Sequence, residues 1–144
     1  MTRAILVLRA ISGVLFLTQL TLGILFWTGH TLSLIPLHML LGSLFVLSLL
    51  TLAVLSARAG APRGPVVALG FLAVVILAVG FAQTRLVAGP NHWMIRVVHL
   101  GLAAVAMPLA GRLPTMLPSA PRRFRGDSGP SGPRQGAGSA PERV

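Results

Sequence analysis

Few side chains in this chain could do chemistry, and two histidines, His38 and His99, stand first among them. Each lies in an apolar run, Leu34 to Gly42 and Val97 to Gly101. Two neutral imidazoles facing each other across a helical core can ligate one haem iron axially. Such a group also needs a flat slot, apolar walls and cations for its two propionates. Gly42 stands four residues after His38, one turn deeper on the same helix face. Gly101 follows close after His99 and would leave room for a ring edge. Arg96, three residues before His99, falls on the same face one turn toward the outer surface. Arg96 and Arg85 are therefore the candidates to hold propionates. The only acids, Asp127 and Glu142, lie far along the chain, so an external anion is what these arginines lack. Plainer roles exist for the same residues: a histidine bonding helix to helix, an arginine reaching headgroup phosphates.

The elements that must position these residues follow from composition. Of 144 residues, 54% are hydrophobic and only 10% charged, with a mean hydropathy of +0.84. A soluble domain carries about a quarter charged residues, so the missing charge decides the class. Crossing a bilayer takes roughly 20 apolar residues as a helix. Four runs meet this length, at about 4–27, 32–57, 65–86 and 92–113, joined by short links. A signal peptide would be shorter than the first run and end in small residues, not in Phe26-Trp27-Thr28. Short links make consecutive helices antiparallel neighbours. The predicted fold is all-α, an up-down-up-down transmembrane bundle of four helices in one domain, residues 1–113. Glycines within the spans favour close helix approach, and Pro36 and Pro108 are possible kinks.

Arginine sets the orientation. All twelve basic residues are arginine, and the formal charge is +10. Arg3, Arg9, Arg58, Arg63, Arg112 and the C-terminal arginines fall on one side, which reads as cytoplasmic; Arg85 and Arg96 fall near the other. The expected location is a bacterial-type cytoplasmic membrane, with both termini inside. From Pro114 the chain turns to Pro, Gly, Ser and Arg, which predicts a disordered cytoplasmic tail over 114–144. The basic excess thus reads as topology signal and anionic-lipid contact rather than as a nucleic-acid surface.

With this orientation, His38 lies about 9 Å and His99 about 10 Å below the outer boundary, on two helices running in the same direction. Ionisable groups at such depth are costly and face the bundle interior, paired or bound. His30 and His92 fall at the outer interface beside Trp27 and Trp93, which read as aromatic-belt anchors. Gln19 is deep in the first span, where it is placed to bond a facing helix, and Gln83 is near the outer edge of the third. With no cysteine, thiolate and disulfide chemistry are absent.

The two histidine stretches, Leu34-Ile35-Pro36-Leu37-His38-Met39-Leu40-Leu41-Gly42 and Val97-Val98-His99-Leu100-Gly101, resemble the haem-ligating helices of small membrane b-type cytochromes. The similar shapes are one four-helix half of haem A synthase and the cytochrome b561 group. The resemblance covers about Ala4 to Leu113. It implies one haem b held between spans two and four by His38 and His99. The chain departs from both groups. Nothing on the cytoplasmic side could ligate a second haem. No acid precedes His38, where Ser33, Leu34 and Ile35 stand, and only one four-helix half is present, though a homodimer would restore eight helices.

Filled axial positions disfavour oxygen chemistry at such an iron and favour one-electron transfer with a quinol or an outer-face redox protein. An electron carrier or redox subunit is thus expected rather than a stand-alone enzyme. The alternative is a cofactor-free small helical subunit of a larger membrane complex, which abundant glycine and scarce acid would suit. Transport lacks an intramembrane carboxylate to couple protons or sodium, and acid–base catalysis lacks an acidic partner for histidine.

Overall fold

The computed structural model describes residues 2–86 and 89–117. Long helices are what such a sequence must form in an apolar medium, where every backbone N–H and C=O has to be satisfied within its own segment. Four occur: α1 (Thr2–Trp27), α2 (Ile35–Arg58), α3 (Arg63–Leu86) and α4 (His92–Arg112), with no strand among the described residues. All four are long and apolar enough to cross a bilayer. Their outward faces carry exposed Val14, Leu17, Leu47, Val67 and Phe71, the last two 68% exposed. An aqueous surface would not tolerate apolar patches of this extent.

Local chemistry sets the boundaries. α1 and α2 end in the same way, each on a glycine in the left-handed region, Gly29 (φ 79°) and Gly60 (φ 87°). The amides of Gly29 and His30 return to Phe26 and Leu25, and those of Gly60 and Ala61 to Ala57 and Ser56. This is the Schellman arrangement, which uses glycine because it carries no Cβ penalty there. A 3-10 turn, Leu32–Leu34, leads into α2, and Pro36 sits in the first turn of α2, where its missing N–H costs nothing. It is therefore an entry residue rather than a kink. Pro108 lies inside α4, which continues past it to Arg112. α3 begins two residues before the expected 65. After α4 a 3-10 turn, Leu113–Met116, keeps the chain folded past Pro114, with Leu113 fully buried. The remainder of the expected disordered tail, 118–144, lies outside the described residues.

Consecutive helices pack side by side, α1 meets α4 more loosely, and α2 and α4 stand diagonally. α1 and α2 are antiparallel, because Ser12 bonds Ser48 while Gln19, further along α1, bonds His38, further back in α2. The tightest packing gathers where α1 and α3 begin and α2 and α4 end. Ile5, Leu49, Leu52, Leu69, Ala106, Ala110 and Leu113 are sealed there. Small residues let the backbones approach: Ala53, Ala73, Ala106, Ala110 and the buried pair Ser12–Ser48, whose hydroxyls lie 2.8 Å apart. The opposite end is built differently. Its helices line a partly open cavity.

Candidate functional site

The cavity measures about 350 Å³ and draws its walls from all four helices. This is within the range of ligand sites, roughly 300–1,000 Å³. Phe16, Phe45, Val46 and Ile76 form the floor, where the Phe16 and Phe45 rings stand 6.1 Å apart. Leu20, Ile24, Met39, Leu77 and Leu100 add apolar wall. The polar lining is short: Gln19 from α1, His38 and Ser43 from α2, Gln83 from α3, and His92, Arg96 and His99 from α4.

His38 is fixed from two sides by α1. Its ring meets the edge of Phe26 at 5.3 Å between centroids and 73° between planes. Its backbone carbonyl accepts a hydrogen bond of 2.9 Å from Gln19 Nε2. To make that bond the Gln19 amide passes over Gly42, where a Cβ would lie 2.6 Å from Gln19 Nε2. The bareness of Gly42 thus serves the Gln19 side chain as well as the cavity wall. His99 is fixed from α3. Its Cε1 lies 3.0 Å from the point where a Gly80 Cβ would stand, so the ring occupies the space that glycine frees.

Three buried polar atoms in this lining have no hydrogen-bond partner among the described residues: His38 Nδ1, His99 Nδ1 and Gln19 Oε1. The only other such atom, Ser56 Oγ, belongs to the tightly packed end. An enclosed polar atom without a partner costs about 1–3 kcal/mol. All three belong to residues that line the one cavity. Among the described residues no group of three or more His, Cys, Asp or Glu stands together to hold a bare metal ion. A metal that brings its own equatorial ligands needs only two, and a haem is such a group. Two imidazoles, mainly apolar walls and the Arg96 guanidinium are a donor set of the kind it requires.

The sequence-predicted residues divide in two. His38, His99, Arg96 and Gly42 all line the cavity. Arg85 and Gly101 do not. Arg85 is exposed near the end of α3, and it is Gln83 that lines the cavity from that turn. Gly101 is exposed with nothing within 4 Å of its Cβ position. Two residues along a helix is a rotation of about 200°, which turns Gly101 away from the face of His99. Counted from their own helix starts, His38 is three residues into α2 and His99 seven into α4. They are thus about one turn, or 6 Å, apart by that measure. Both nonetheless line the one cavity.

Sequence gives Phe26 no role at the site, and it offers Gly80 only as one of several glycines within the spans. The signal for Gly80 was a glycine inside the third span, where ordinary packing explains most glycines. His92 joins the lining, whereas His30 sits outside it, with Nδ1 3.0 Å from Thr28 Oγ1. Comparison with protein-family models, curated proteins and solved structures finds no match for this chain.

Proposed function

We propose that the chain is a multi-pass protein of a bacterial-type cytoplasmic membrane that holds one haem b between His38 and His99 for one-electron transfer. In this reading the four helices run up-down-up-down with both termini cytoplasmic, and the cavity faces the outer side. The arginine distribution supports the orientation, since five arginines of the described residues stand at the packed end and two at the cavity end. One observation carries the cofactor reading. Two imidazoles on diagonal helices line a single, mainly apolar cavity.

The roles of the residues follow from where they stand. His38 and His99 would hold the haem, His38 steadied by Gln19 and Phe26, His99 by its seat against Gly80. Arg96, at the wall of the cavity and exposed, would balance the propionate charge, in a chain with no carboxylate before Asp127. The aliphatic and phenyl walls would give such a group an apolar surround. When bound, haem would supply a metal centre able to accept and return single electrons. A quinol or an outer-face redox protein would be the exchange partner.

The test is spectroscopic. The full chain, purified in detergent from haem-replete cells, is expected to show sharp Soret and α bands in reduced-minus-oxidised spectra. Both bands should vanish in His38→Ala and in His99→Ala, with helical content unchanged. Colourless protein after haem supplementation overturns the reading and favours a cofactor-free subunit of a larger membrane complex.

A further inference from the structure

The packed end carries a charge problem of its own. Arg3, Arg9, Arg58, Arg63 and Arg112 gather there, and no Asp or Glu occurs before residue 127. Most of these arginines stand at helix ends. Arg9 does not: it lies in the second turn of α1 and reaches sideways onto the last turn of α4. Its Nη2 and Nε come within 3.8 and 3.9 Å of the point where a Gly111 Cβ would stand. Gly111 is followed by Arg112, the last residue of α4. Arg9 therefore lies across the seam between α1 and α4, where neighbouring helices meet least closely, and exposed Arg112 stands one residue beyond the glycine it covers. The C-terminal end of α4 offers roughly half a negative charge. That cannot neutralise two guanidinium groups.

We propose that the seam between α1 and α4 binds the phosphate of an anionic phospholipid, held by Arg9 and Arg112. The geometry matches the chemistry in three respects. The guanidinium fork suits two phosphate oxygens at once. The end of α4 puts both arginines at the level where a span meets the headgroups, and basic pockets between helices on the cytoplasmic side suit anionic headgroups. A zwitterionic lipid brings its own cation, for which the described residues offer no carboxylate, whereas an anionic lipid brings only the missing charge. The inference rests on the four-crossing part of the reading above and not on haem.

The experiment uses the full chain in nanodiscs and in detergent, with phosphatidylglycerol, phosphatidylcholine and inorganic phosphate as probes, read by lipid retention in native mass spectrometry. Phosphatidylglycerol should be retained over phosphatidylcholine, and Arg9→Gln or Arg112→Gln should each weaken that retention about fivefold. Arg9→Lys should fall between, and Arg58→Gln and Arg63→Gln, away from the seam, should change little. Equal loss in all four glutamine variants overturns the site in favour of a diffuse basic end. Equal retention of the two lipids in the wild-type chain, or full competition by millimolar inorganic phosphate, overturns the lipid assignment. Spectra of haem are silent on each of these outcomes, so the two proposals stand or fall separately.

Discussion

The His99 ring rests where a side chain on residue 80 would otherwise stand, its Cε1 3.0 Å from the absent Gly80 Cβ. A methyl group at that distance asks the ring to move by a few tenths of an ångström, which a side-chain end can do. A branched residue asks for far more. Gly80→Ala is expected to keep its haem bands and Gly80→Val to lose most of them, at unchanged helicity. Equal haem content in the two variants would contradict the seat described for His99.

Gly42 and Gln19 should be coupled. Gly42→Ala gains helix propensity, up to about 1 kcal/mol, yet drives the Gln19 amide off the His38 carbonyl. Polar contacts between membrane helices average about 0.6 kcal/mol, so the single variant alone is ambiguous. A double-mutant cycle isolates the pair. Gly42→Ala is expected to cost more stability in the parent than in Gln19→Ala, by about 1 kcal/mol in detergent unfolding. Additivity within error would sink the coupling.

How much of this could be read beforehand depends on the kind of signal. Spans are written in composition, and their four positions came through with shifts of a few residues at the ends. His38, His99 and Arg96 stood out because polar groups in apolar helices are few. Seats and rotations were harder. Gly101 looked close to His99 in sequence, but two residues turn it by more than half a circle. Gly80 showed only as one of several glycines within the spans, since its partner lies on the next helix. Gln19 was legible as a polar residue facing another helix; its acceptor, a backbone carbonyl, was not.

The two arginines of the cavity end should differ in effect. Arg96 lines the cavity and Arg85 does not. Arg96→Gln is expected to weaken haem retention by about tenfold, the scale of one lost charge-assisted bond. Arg85→Gln and Gly101→Leu should match the parent. Titration of the apo form with haem reads all three, and a matching loss in Arg85→Gln would return that residue to the site.

Thr31 is the one non-glycine residue with positive φ among those described, at φ 55° and ψ 31°. For a β-branched side chain this conformation costs about 1–2 kcal/mol. Asparagine tolerates it far better. Thr31→Asn is therefore expected to raise unfolding stability by about 1 kcal/mol, and a lower midpoint in thermal melts would argue that the Thr31 side chain has a compensating role.

The left-handed Gly60 divides the chain into two hairpins, α1–α2 and α3–α4, and each hairpin is entered on its second helix through a 3-10 turn. Each contributes one of the pair His38 and His99, and neither has both. The polypeptide is thus modular in a practical sense: a nick at Gly60 severs a surface link and no wall of the cavity. Co-expressed as separate fragments, the halves should reassemble into a coloured protein, while either fragment alone should remain colourless. Colour in one fragment by itself would mean that the ligand set does not need both modules.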